Sequence, residues 1–130
     1  ADQLIAHAVG DYLLQSDWMA NEKTKKNIAA AAHALTYSLP FLFLKPSLAA
    51  YAAIVGTHFV IDRWRLARYV VWAKNWLGPW KNGNPPNKTW SECQATGYDP
   101  ERPTWLTVWL LIIADNTMHA LCNAAALNWL

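Results

Sequence analysis

Residues 24–62 read TKKNIAAAAHALTYSLPFLFLKPSLAAYAAIVGTHFVID. Two apolar runs of helical length flank Lys45-Pro46-Ser47. The first starts near Thr24, behind the polar stretch Asn21–Lys26, and ends before Pro46. Pro40 is expected to kink it or thin its last turns, because proline lacks an N–H and clashes with the preceding turn. The second starts at Pro46 or Ser47, since proline suits a first helical position. It extends toward Leu77, ends at Gly78-Pro79, and is long enough to bend or break. His33 stands about 12 residues before the turn and His58 about 12 after it. In an antiparallel hairpin equal distances from a turn mean equal heights along the axis, so the two imidazoles are expected in one layer.

The neighbouring segments extend this pattern. Asp2–Asn21 carries Leu4, Ile5, Ala8, Tyr12 and Met19 at helical spacing rather than in alternation. Asp11 is 11 residues before a turn near position 22, and His33 is 11 after it, which adds Asp11 to the same layer. Residues 78–103 hold Gly78, Pro79, Gly83, Pro85, Pro86, Gly97, Pro100 and Pro103 and read as a long loop. Its aromatics Trp80, Trp90 and Tyr98 favour an ordered, packed loop. A last helix starts near Thr104, a good N-cap, and runs to the C-terminus. Strand patterns and internal repeats are not evident. The expected fold is all-α: a four-helix up-and-down bundle, one domain over residues 1–130, with a Pro/Gly/Trp-rich loop before the last helix.

Composition narrows the function classes. Apolar residues make up 54% of 130, enough for a sizeable core, and the net charge is only +2 with its charges scattered. That is not the basic stripe of a duplex nucleic-acid binder. Cys93 and Cys122 form no CxxC, so neither a disulfide framework nor a cysteine-rich zinc module is indicated. Asp2, Asp11 and Asp17 stand where a secretory signal would be basic and then apolar. A cytoplasmic protein is the first expectation. The charge-free run Asn27–Leu44 contains His33, Ser38 and Pro40, and Pro46–Ile61 includes His58. The apolar hairpin Leu39–Ile61 keeps membrane association as the alternative.

The chemistry lies in the histidines. His7 and Asp11, His58 and Asp62, and Asp115 and His119 are each four apart, so each pair shares a helix face. Chance places an Asp four residues from a given His in about 9% of cases by the same periodicity count, yet three of the four histidines have one. Asp62 follows Phe59-Val60-Ile61, and Asp115 follows Leu110–Ala114. An ionised carboxylate on so apolar a helix is costly unless paired or bound to a metal. Mixed imidazole and carboxylate ligands suit zinc first, with manganese, iron or magnesium also possible. His7, Asp11, His33, His58, Asp62, Asp115 and His119 are too many for one tetrahedral ion, so two divalent cations with a bridging Asp are expected. The alternative is a core of histidines hydrogen-bonded to their own aspartates.

The stretch His7-Ala-Val-Gly-Asp11-Tyr-Leu-Leu-Gln15, then Asp17-Trp18, His33, His58-Phe-Val-Ile-Asp62-Arg63, and Asp115-Asn116 with His119 resembles the bacterial and phage domain-of-unknown-function family 3307. The resemblance spans the chain apart from residues 78–103. Asn116 departs from the Gln expected there, which leaves the Asp115–His119 pair intact. The family name implies no activity. The pattern is also similar, more weakly, to membrane-associated metal-dependent hydrolases.

Together these point to a metal-dependent hydrolase of a phosphoester in a nucleotide or lipid, a small anionic substrate. Asp11, Asp62 or Asp115 would supply the base. Gln15, one turn beyond Asp11, and Arg63 and Arg65 after Asp62 are candidate substrate contacts. Trp80 and Lys81, with Trp90 and Lys88, would form a lid. Lys23, Lys25 and Lys26 read as a solvated turn. The competing readings are a non-enzymatic ligand- or protein-binding helical module and a small integral membrane protein.

Overall fold

The computed structural model describes residues 1–78 and 88–130. Trp80 and Lys81, two of the expected substrate contacts, lie outside the described residues. Among the described residues there are six α-helices and no strand: α1 (Asp2–Ala8), α2 (Asp17–Glu22), α3 (Asn27–Ser38), α4 (Leu48–Trp64), α5 (Leu66–Trp76) and α6 (Thr104–Trp129). The all-α class is therefore correct. The chain divides into two compact units, one of residues 1–65 and 117–130, the other of residues 66–116.

In the first unit the expected N-terminal helix is subdivided. After α1 the chain makes a π-helical turn, Val9–Leu13, then leaves the helix. Ser16 turns it into α2, its side chain accepting a hydrogen bond from the Met19 amide as an N-cap does. The π-turn fits closely because position 10 is glycine. A Cβ there would lie 2.5 Å from the Tyr37 carbonyl oxygen and 2.7 Å from Tyr37 Cδ2. The helix α3 packs by its small residues: Ala29, Ala30 and Ala34 are fully buried, which lets neighbouring backbone come close. Pro40 acts as its chemistry requires, and Leu39–Leu44 tightens into a 3-10 turn. The chain reverses at Lys45 in the left-handed region (φ 51°), and the Ser47 hydroxyl caps α4 by accepting from the Ala50 amide. Tyr37, Phe41, Ala50 and Ile54, with Ala6 and Ala126, form the apolar core of this unit.

The long third helix breaks at one residue. Arg65 adopts φ 51°, ψ 49°, so α4 ends at Trp64 and α5 begins at Leu66.

In the second unit residues 88–103 are ordered by polar contacts. Trp72 Nε1 donates to the Lys88 carbonyl, and Lys88 pairs with Asp99 at 2.7 Å. Gln94 Nε2 donates to the carbonyls of Asp99 and Arg102, while its Oε1 accepts from Thr107 at the start of α6. Gly97 (φ 85°) lies against α5, where a Cβ would collide with the Arg68 carbonyl and approach the Trp72 amide nitrogen to 2.9 Å. Gly97→Ala is expected to cost roughly 1–3 kcal/mol, from an unfavourable φ and an overpacked contact together. Denaturant unfolding followed by tryptophan fluorescence measures it. An unchanged midpoint would mean that the loop re-forms without this contact.

Candidate metal centre

The His and Asp pairs converge in the first unit. The last turns of α4 bring in His58 and Asp62, the middle of α3 brings His33, and the π-turn brings Asp11. All four residues are buried. Their ligand atoms lie within 4.8 Å of one another. His33 Nε2 is 3.1 Å from Asp11 Oδ1, 2.9 Å from His58 Nε2 and 3.1 Å from Asp62 Oδ2. His58 Nε2 is 3.5 Å from Asp11 Oδ1 and 3.2 Å from Asp62 Oδ2. A tetrahedral zinc site with ordinary bond lengths has ligand–ligand edges of about 3.3 Å. These separations bracket that edge.

Hydrogen bonding alone accounts poorly for this arrangement. An imidazole nitrogen carries either one proton or one lone pair. His33 Nε2 faces Asp11, His58 and Asp62, and also Lys23 Nζ at 3.2 Å. One nitrogen cannot satisfy four such neighbours. Asp62 Oδ2 is approached by Lys23 Nζ (2.7 Å), His33 and His58, yet none is aligned for a hydrogen bond. Lone pairs that point at a shared space rather than at a proton fit a cation.

Two more histidines flank the four. His119, on the part of α6 in this unit, places Nε2 3.1 Å from Asp62 Oδ1. His7 Nε2 is 3.6 Å from Asp11 Oδ2. Each carboxylate thus turns one oxygen to the four-residue set and the other to a further imidazole. Asp115 stands one helical turn before His119 on α6, half-buried, in the residues of the second unit.

The electrostatics favour the metal-binding forms of Asp62, Asp11 and His58, whereas His33 is raised against its burial by the carboxylates of Asp11 and Asp62. Burial by itself would raise Asp62, but the imidazoles of His119, His33 and His58 outweigh it and hold the carboxyl well below the usual range. Asp11 is likewise lowered against its burial, by His33 and His58. Burial pulls His58 down to about 4, so its ring is neutral near pH 7.

Several residues that hold the site were not singled out by spacing. The Tyr37 ring stacks on His58, with centroids 3.5 Å apart and planes 15° apart. Its hydroxyl lies 2.8 Å from His7 Nδ1 and accepts from Asn123 Nδ2 at 2.6 Å. Tyr37 is four residues after His33 and Asn123 four after His119, so the same i+4 rule would have found both. Lys23 is the main correction. Lys25 and Lys26 sit in a solvated turn beside Glu22 as expected, whereas Lys23 reaches inward to Asp62 and is only 19% exposed in its side chain.

The expected substrate contacts fall elsewhere. Gln15 is not one turn beyond Asp11, because the helix ends at Leu13; its buried Oε1 meets no donor among the described residues. Arg63 donates to Asn27 Oδ1 and the Thr24 carbonyl, tying the end of α4 to the turn that carries Lys23. Arg65 is exposed at the helix break.

A protein-family profile described as "Protein of unknown function (DUF3307)" matches residues 1–90. The match contains His7, Asp11, His33, His58 and Asp62 and ends before Asp115 and His119. No curated protein and no solved structure matches the chain.

Proposed function

The chain belongs to the DUF3307 family, and from that premise we propose that it is a metal-dependent hydrolase of phosphoesters, built on a dinuclear His/Asp site. One observation carries the reading. Asp11, His33, His58 and Asp62 direct more lone pairs at one buried space than their protons can satisfy. One ion would take the four-residue set. A second would be held from the outer side of Asp62, with His119. His7 would support Asp11 from its outer side.

Divalent ions at such a site polarise a phosphoryl oxygen and acidify a bound water. The chain's own residues would orient the ester and accept the water's proton. Asp11 is the more open of the two lowered carboxylates, at 10% side-chain exposure against 4% for Asp62, which favours it as the base. The substrate class is a small phosphoester of a nucleotide or lipid. Zinc is the first choice of metal, because imidazole and carboxylate at tetrahedral spacing suit it.

Elemental analysis of the purified protein tests the site. About two equivalents of a transition metal are expected in the wild type and a large loss in His58→Ala, with hydrolysis of bis-p-nitrophenyl phosphate following the metal content. Protein free of metal after purification, and unable to take up zinc, would leave only a hydrogen-bonded core.

A second reading, a small membrane protein carrying the same site, is favoured by exposed apolar side chains. Two helical segments, Asn27–Leu44 and Thr104–Trp129, are long and apolar enough to cross a membrane. Along α6 Trp105, Trp109, Ile113 and Leu121 are all more than half exposed. Monodisperse protein without detergent would remove this reading.

A further inference from the structure

We propose that Lys23 is the oxyanion-binding residue of this site, held on the metal ligands until a cation displaces it; the inference rests on the metal reading above. The argument begins with what an ammonium can do. It has three donors and no acceptor. Its contact with His33 Nε2 at 3.2 Å draws on the lone pair of an unprotonated ring nitrogen, and its 2.7 Å ion pair with Asp62 Oδ2 sets a positive charge beside the adjoining carboxylate oxygen. A metal on His33 Nε2 and Asp62 Oδ2 needs those same lone pairs. Lysine and metal exclude one another at this edge.

The lysine also sets the edge up for a cation. It keeps the imidazole and the carboxylate aimed at a single positive charge.

Displacement does not carry the ammonium far. Its backbone is fixed: the Lys23 amide donates to the Met19 carbonyl, and Arg63 holds the next residue by the Thr24 carbonyl. A divalent ion on Asp62 repels the ammonium from the ligands, but the stem stays in a largely enclosed place. A partly buried ammonium that has lost its carboxylate requires a new anion. The group that meets both the ion and the displaced ammonium is a doubly accepting oxyanion, such as a phosphoryl group. Lys23 thus takes the part that spacing alone gave to Arg63 and Arg65. Arg63 is already engaged by Asn27 and Thr24.

One substitution should act in opposite directions on the two ligands. Cobalt(II) is titrated into the full chain and read by its visible absorption; inorganic phosphate is then titrated into the cobalt-loaded protein. Lys23→Met removes the competing cation, so cobalt is expected to bind roughly tenfold more tightly or better, and phosphate roughly tenfold more weakly. Lys23→Arg keeps the charge and should hold phosphate near the wild-type affinity; it serves as the second variant should Lys23→Met fold poorly. Unchanged or weaker cobalt binding in Lys23→Met, or unchanged phosphate binding, overturns the assignment while leaving the metal site standing. Failure of wild type and both variants to bind cobalt would remove the metal reading, and this inference with it.

Discussion

Asp62→Ala is expected to reduce bound metal to background and to abolish any phosphoesterase activity that depends on it. The carboxylate meets four partners, as many as the His33 imidazole does. Oδ2 faces Lys23, His33 and His58, and Oδ1 faces His119. On the proposed two-ion reading its loss would remove a ligand from both ions. It also removes the only carboxylate paired with Lys23 among the described residues. The metal-free fold should suffer as well, because breaking a buried ion pair from one side costs about 3–5 kcal/mol. Asp62→Asn keeps the shape and separates the two effects: metal should still be lost, while stability falls less than for alanine. Metal analysis and denaturant unfolding of both variants give the measurement. Full metal content in Asp62→Ala would refute the site as drawn.

Gly10→Ala should damage both the fold and the metal site, although it adds one methyl group. In a helix interior that substitution ordinarily stabilises by up to about 1 kcal/mol. Here the new Cβ would stand 2.5 Å from the Tyr37 carbonyl oxygen and 3.0 Å from its Cα. Backbone cannot rotate aside as a side-chain tip can, so the π-turn or α3 must move. Overpacking of this kind costs about 1–3 kcal/mol or more, which outweighs the helical gain. The displaced residue stacks on His58 and contacts His7, so metal affinity should fall at least tenfold together with stability. Gly56→Ala is the control. That glycine lies in α4, with nothing within 4 Å of a Cβ, and its replacement should be neutral or stabilising. Equal effects at both positions would show that the close approach at Gly10 carries no weight.

The sequence made a good part of this site legible, for a physical reason. Helical spacing and turn distance are both linear in residue number. Asp11, His33 and His58 could therefore be assigned to one layer, and the structure brings them within 3.5 Å of each other. Pro40 announced the thinning of its helix in the same way. What escaped depends on contacts between segments or on single dihedral angles. Arg65 takes a left-handed conformation without being glycine, and no residue type marks it. The break after Leu13 had a signal in Ser16, whose capping role was hidden because the helical spacing of apolar residues continues past it to Met19. Lys23 escaped because a lysine beside two others in a polar turn looks solvated; only the direction of its stem distinguishes it. The four long helices of the sequence reading become six because these short interruptions have no periodicity of their own.

The break at Arg65 has a consequence for the order in which the protein is made. Chain numbering runs with synthesis, and Asp11, His33, His58 and Asp62 all precede that residue. The chain then enters its second unit and returns to the first only at Thr117. The four-ligand set has thus been synthesised before residues 66–116, and His119 follows them. A nascent chain stalled after the second unit begins would already hold every side chain of the inner set, with Lys23 among them to keep its charges paired until a metal or the final helix arrives.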